Sequence, residues 1–136
     1  MGLAINWISV LGAAIVGMIV GALWYGPLFG DAWMRSLGMD PELVKSAPRK
    51  GMRQLLTLVF LLHWCMAFCL AMFFGTEITT ATGLLYGFLV GLPWVGFALA
   101  VNALFEQKPW SYIFINGAYW TVSFTLMGAV LGTWHG

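Results

Sequence analysis

Long apolar stretches, separated by short polar segments, set the pattern of this chain. Leu3 to Tyr25 runs for 23 residues without a charged side chain. At 1.5 Å per residue a helix of that length covers roughly 34 Å, enough for the hydrocarbon core of a bilayer. The stretch lacks the basic start of a signal peptide and exceeds the usual apolar length of one, so it is expected to be a retained span. Residues 54–74, 81–105 and 110–134 predict three more. The expected fold class is all-α: an integral membrane bundle of four transmembrane helices, one membrane domain over 1–136. A short amphipathic cytoplasmic connector over 28–53 joins helices one and two. Gly26-Pro27 is expected to break the first helix, because proline lacks the N–H and clashes with the preceding turn. Leu28 to Met34 should lie along the interface with Phe29 and Trp33 dipping in. Asp40-Pro41-Glu42 reads as a helix start, with Asp as N-cap and Pro at the first position, and Pro48 should end that helix. Pro93 is expected to kink the third span.

Helical periodicity then picks out faces. Asn6, Val10, Ala13, Ala14, Gly17 and Gly21 share a stripe on the first span. Gly83, Gly87 and Gly91 form a GxxxGxxxG ridge on the third, and Ala98 and Asn102 continue that stripe. The fourth span carries Gly117, Thr121, Thr125, Gly128 and Gly132 on one face and Asn116, Tyr119 and Ser123 on another. Small-residue ridges let helices approach closely, and here they favour a homo-oligomer or a membrane partner protein. A weak echo appears at an offset of 66, where Gly17, Gly21, Pro27 and Gly30 match Gly83, Gly87, Pro93 and Gly96; a duplicated hairpin is conceivable.

Composition agrees with the pattern. The 136 residues are 61% apolar and only 8% charged, against roughly a quarter charged in soluble domains. A chain so poor in charge could not cover a soluble surface. The charge is also segregated. Arg35, Lys45, Arg49, Lys50 and Arg53 lie in the connector and Lys108 in the turn before the last span. All six basic residues thus fall on one side, so the positive-inside rule puts both termini outside and both basic loops in the cytoplasm. Charges that flank spans argue against nucleic-acid binding. Cys65 and Cys69 read as small apolar residues inside a helix rather than a disulfide framework.

Gly21 to Met34 (GALWYGPLFGDAWM) and Asn102 to Trp120 (NALFEQKPWSYIFINGAYW) resemble the bacterial membrane-protein family catalogued as domain of unknown function 1761. Gly26 stands where that family's WYSP pattern has serine. The resemblance implies a small four-helix protein of the bacterial inner membrane and supplies no activity, substrate or catalytic residue.

Chemistry is sought among intramembrane polar residues, which are costly unless paired or facing a cavity. Trp24, Tyr25, Asn102, Glu106, Asn116 and Tyr119 are all expected toward the cytoplasmic leaflet. They could line a pocket for a lipid headgroup or small polar solute. Alternatively, the asparagines bridge helices and Glu106 pairs with Arg35 or Arg53. His63, near mid-span, is a candidate polar switch, and a hydrogen bond to a neighbouring helix is its simplest use. Its wheel position shares a face with Ala67, Leu70 and Phe74 and points away from Cys65 and Cys69, so no metal site, and no cofactor, is expected. No nucleophile–base spacing is present, and Glu106 has no companion acid. Three readings follow: a small oligomeric protein that binds or passes a polar solute or lipid, an accessory subunit of a larger membrane complex, and a lipid-modifying enzyme.

Overall fold

The computed structural model describes residues 5–47 and 50–134. Helix α1 (Trp7–Leu23) continues through a π-helical segment (Trp24–Leu28) and, after Phe29, into α2 (Gly30–Ser36); α3 (Pro41–Ser46) completes the connector. Helix α4 (Met52–Phe74) follows. Then come α5 (Thr80–Leu89), a second π-helical segment (Val90–Gly96), α6 (Phe97–Phe105) and α7 (Trp110–Thr133). Four helical units are long and apolar enough to cross a membrane: Trp7–Leu28, Met52–Phe74, Thr80–Phe105 and Trp110–Thr133. We call them spans one to four. The expected start of span one at Leu3 and the expected stop at Pro48 lie outside the described residues.

Local chemistry explains the ends. The Asn6 side chain accepts hydrogen bonds from the Ile8 and Ser9 N–H groups and opens α1. Asp40 caps α3 in the same way through the Glu42 N–H, with Pro41 at the first position as the sequence suggests. Thr79 and Thr82 cap α5 reciprocally. Gly75, at φ 73°, turns the chain out of α4 in a conformation that other residues adopt at a cost. In the connector, Lys45 and Asp31 pair at 2.8 Å and tie α3 to α2. The hydrogen bond and charge of Lys45 hold the exposed Asp31 carboxyl below the usual carboxylate range.

Neither Pro27 nor Pro93 breaks its helix. Both sit inside π-helical segments, whose wider turn passes the carbonyl that a proline ring would meet in an α-helix. The π bonds are explicit: Phe29 N–H donates to the Trp24 carbonyl at 2.8 Å, and Phe97 N–H reaches the Leu92 carbonyl, five residues back in each case. So the break expected at Gly26-Pro27 falls instead at Phe29 (φ −127°, ψ 11°), just beyond the π-turn.

The 66-residue echo acquires structure here. The stretches around Pro27 and Pro93 both run from α-helix through a π segment into α-helix, the first with a break at Phe29 before α2. A Cβ on Gly30 would meet the Tyr25 carbonyl at 2.6 Å, and one on Gly96 would meet the Gly91 carbonyl at 3.1 Å. The same relation, glycine against the carbonyl five residues back, recurs at the same offset.

Packing order differs from chain order. Span four lies between spans one and three, and span two packs on the far side of span one. The core joins Val10, Ala13 and Ala14 of span one, Ala67 and Leu70 of span two, and Phe124, Met127 and Leu131 of span four. On its other face span four meets span three at backbone distance. Gly83 and Gly87 lie against the carbonyls of Gly128 and Phe124, Gly91 against that of Trp120, and Gly132 against that of Thr79. Any side chain there would prise the helices apart, which is the physical use of a small-residue ridge. The two predicted faces of span four are therefore both used, inside one chain. Gly117 is the exception among the predicted packing glycines. It is buried, but a Cβ there would meet nothing within 4 Å; only its carbonyl faces span three, 3.8 Å from where a Cβ on Gly96 would sit.

Spans two and three make no comparable contact among the described residues; the Phe74 and Tyr86 rings approach with centroids 5.8 Å apart. The bundle is packed on three sides and cleft on the fourth.

Candidate functional site: a sealed polar node and an apolar cleft

Two features stand out. The first is a polar node where spans one, two and four meet. His63 projects from span two into the core, 3% exposed, on the face it shares with Ala67 and Leu70. Its Nδ1 lies 2.9 Å from the Val59 carbonyl one turn back. Its Nε2 lies 3.1 Å from the Tyr119 hydroxyl of span four, and that hydroxyl lies 3.1 Å from the Gly17 carbonyl of span one. Gly17 must be glycine: a Cβ there would sit 2.5 Å from His63 Cδ2. Trp120 stacks on the imidazole with centroids 5.8 Å apart, and Tyr119 packs edge-on against both Trp120 and Tyr25.

Toward the connector side the node continues as a clasp. The Tyr25 hydroxyl donates to Asn116 Oδ1 at 2.5 Å, and Asn116 Nδ2 donates to the Tyr112 carbonyl at 2.8 Å. Trp24 Nε1–H donates to the Ile115 carbonyl at 2.9 Å. Among the described residues no buried side-chain nitrogen or oxygen lacks a partner. This is what a low-dielectric site demands, since an unpaired polar group there is expensive.

Of the residues singled out from sequence, the structure brings together Trp24, Tyr25, Asn116 and Tyr119, and adds His63. It does not bring in Asn102 or Glu106, both of which are exposed. The cause is the π-helical segment in span three. One extra residue in a turn rotates everything after it by about 100°, so the buried stripe Gly83, Gly87, Gly91 continues through Gly96 and Ala103. Ala98 and Asn102, which a uniform helix would place on that stripe, face outward. Glu106 forms no ion pair with Arg35 or Arg53; among the described residues the ion pair is Lys45–Asp31. Cys65 and Cys69 are free, and they are exposed rather than buried.

Sequence reasoning did not link His63 to Tyr119 and Gly17. A signal existed. Counted from the ends nearer the basic connector, each lies about ten residues into its span, hence at one depth.

The second feature is the cleft between spans two and three. It holds about 440 Å³ and is lined by Leu70, Phe73 and Phe74 on one wall and Tyr86, Leu89, Val90, Pro93 and Trp94 on the other. It opens sideways, toward what would be lipid, in the half of the bundle away from the basic connector. The polar residues of the node do not line it.

Four helices long and apolar enough to cross a membrane, close glycine-backed packing and a polar node with every group partnered define a multi-span helical membrane protein. The chain belongs to the family described as Protein of unknown function (DUF1761), which matches residues 8–132, in agreement with the resemblance carried by Gly21–Met34 and Asn102–Trp120. No curated protein and no solved structure matches the chain.

Proposed function

We propose that this is a lipid-binding membrane protein that seats a hydrocarbon chain between spans two and three. The observation that carries the reading is the cleft. Its volume falls within the roughly 300–1,000 Å³ of small-molecule sites, its walls are mostly apolar, and it opens toward lipid. Within a bilayer the medium available to fill such a groove is the acyl chain.

A polar-solute or headgroup site on the connector side has less support. Trp24, Tyr25, Asn116 and Tyr119 spend their polar atoms on one another and on backbone carbonyls, and Asn102 and Glu106 face away from them. The small-residue ridges, which suggest an oligomer from sequence alone, are occupied within the chain.

The test is photolabelling in nanodiscs with a phospholipid carrying a diazirine on its acyl chain. Label should concentrate on peptides containing Phe73, Tyr86 and Trp94. Leu89→Trp, which fills the cleft from a half-exposed position outside the core, should cut that label at least about threefold while leaving the melting temperature nearly unchanged. Label spread evenly over all lipid-facing surfaces, or unaffected by Leu89→Trp, would overturn the proposal.

A further inference from the structure

We propose that His63 is an intramembrane proton-binding site, with the Tyr119 hydroxyl as the element that adjusts to the proton. The argument is a count of hydrogens. Nδ1 faces the Val59 carbonyl, which can only accept, so Nδ1 carries a hydrogen. The Tyr119 hydroxyl stands 3.1 Å from two groups, Nε2 of His63 and the carbonyl of Gly17. With a neutral ring both are acceptors, and one hydroxyl hydrogen cannot serve both. Either the hydroxyl donates to Nε2 and leaves the Gly17 carbonyl to its helix ladder, or it donates to Gly17 and sets its own lone pair against that of Nε2.

One added proton lets all three contacts hold a hydrogen bond at once. It forms an N–H bond at Nε2, and three hydrogens then meet three acceptors: Nδ1–H to Val59, Nε2–H to the Tyr119 oxygen, and the Tyr119 O–H to Gly17. The hydroxyl hydrogen rotates from one acceptor to the other, and no heavy atom has to move. The proton comes from water and returns to it, so no other reactant is involved.

A cation inside a membrane is costly, and the surroundings answer that cost in two ways. Every donor of the imidazolium finds an acceptor, and the ring stacks on Trp120 within the roughly 6 Å over which indole attracts a cation. The groups that face His63 are Gly17 from span one and Tyr119 and Trp120 from span four; Met127 Sδ lies against the same Gly17 slot, and the buried Ser123 hydroxyl donates to that sulfur. Beyond Tyr119 the next titratable group is Tyr25. Among the described residues no carboxylate, lysine or arginine faces the ring from any packed element. Asp31, Asp40 and Glu42 lie in the connector, and Glu77 and Glu106 in turns at span ends. The consequence is mechanical. Span two packs on span one and only lightly on span four. Converting the Tyr119 bond to a charge-assisted one, roughly twice as strong as a neutral one, strengthens the tie between span two and span four.

The experiment is nitrogen-15 NMR of imidazole-labelled full-length protein in bilayers, in a His135→Gln background so that one histidine remains, titrated between about pH 4 and pH 9. At alkaline pH a single tautomer is expected, with Nδ1 protonated and Nε2 bare. On acidification Nε2 should gain its hydrogen while the backbone spectrum persists. Tyr119→Phe keeps the ring packing and removes the acceptor, so the doubly protonated form should require about tenfold more protons or greater. A role confined to packing predicts no such displacement. The opposite tautomer at alkaline pH, no second N–H across the range in the folded protein, or a titration indifferent to Tyr119→Phe would each overturn the proposal. The first two are read from the unsubstituted site and do not depend on the variant folding.

Discussion

At the scale of single residues, this protein is governed by how few polar atoms it can leave unpaired. His63, Tyr119, Asn116, Tyr25 and Trp24 each hold a partner, and four of the five bond to backbone carbonyls as well as or instead of side chains. Gly17 is what lets this happen, since its missing side chain makes the slot for the imidazole. Gly17→Ala therefore forces either the ring or the helix to move, and His63 is pinned at both nitrogens. We expect a loss of about 1–3 kcal/mol, the usual range for overpacking a filled core, together with loss of the His63–Tyr119 bond. Thermal unfolding in mild detergent measures the first. A melting temperature equal to that of the parent would show that the slot is not tight.

At the scale of elements, the π-helical segments decide which residues look inward. Periodicity read at 3.6 residues per turn is correct for span three as far as Gly91 and fails afterwards, because the extra residue of the π-turn advances the register by one position. Ala103 is buried where Asn102 would have been. Reactivity checks this directly. In a chain whose Cys65 and Cys69 are replaced by alanine, a cysteine at Asn102 should react readily with a membrane-permeant maleimide. One at Ala103 should react at least about tenfold more slowly, being nearly inaccessible in the folded state. Equal rates would mean that the stripe continues as a plain α-helix. The recurrence of the α–π–α pattern at an offset of 66 residues, with Gly30 and Gly96 in the same relation to the preceding turn, gives the internal echo a shared mechanical basis.

At the scale of the whole molecule, the arrangement is asymmetric. Span four is the hub, closely packed against span three by glycine and joined to span one by aliphatic contacts and the polar node. Spans two and three stay apart and leave the cleft between them. Orientation in the membrane rests on charge. The basic residues of the connector and Lys108 share one side, and the positive-inside rule predicts that this side is cytoplasmic. A cysteine at the exposed Ser46, again without Cys65 and Cys69, should resist an impermeant thiol reagent applied to intact cells and react once the cells are opened. Labelling from outside would invert the topology, and with it the leaflet on which the cleft opens.

The four spans and the small-residue faces were legible along the chain, because helix length, apolar run and 3.6-residue period are local properties that each segment carries alone. So were the Asp40 cap and the inward direction of His63. Trp24, Tyr25, Asn116 and Tyr119 could be picked out as costly intramembrane groups. Which of the candidates would meet was not legible, because partnership depends on the register after a π-turn and on which spans become neighbours. Those are set by packing between segments far apart in sequence: glycine backbone against glycine backbone in spans three and four, and an imidazole seated on Gly17 between spans one and four. Asn102 and Glu106 face outward for that reason. The cleft had no trace in the sequence at all, since it exists where two helices do not touch.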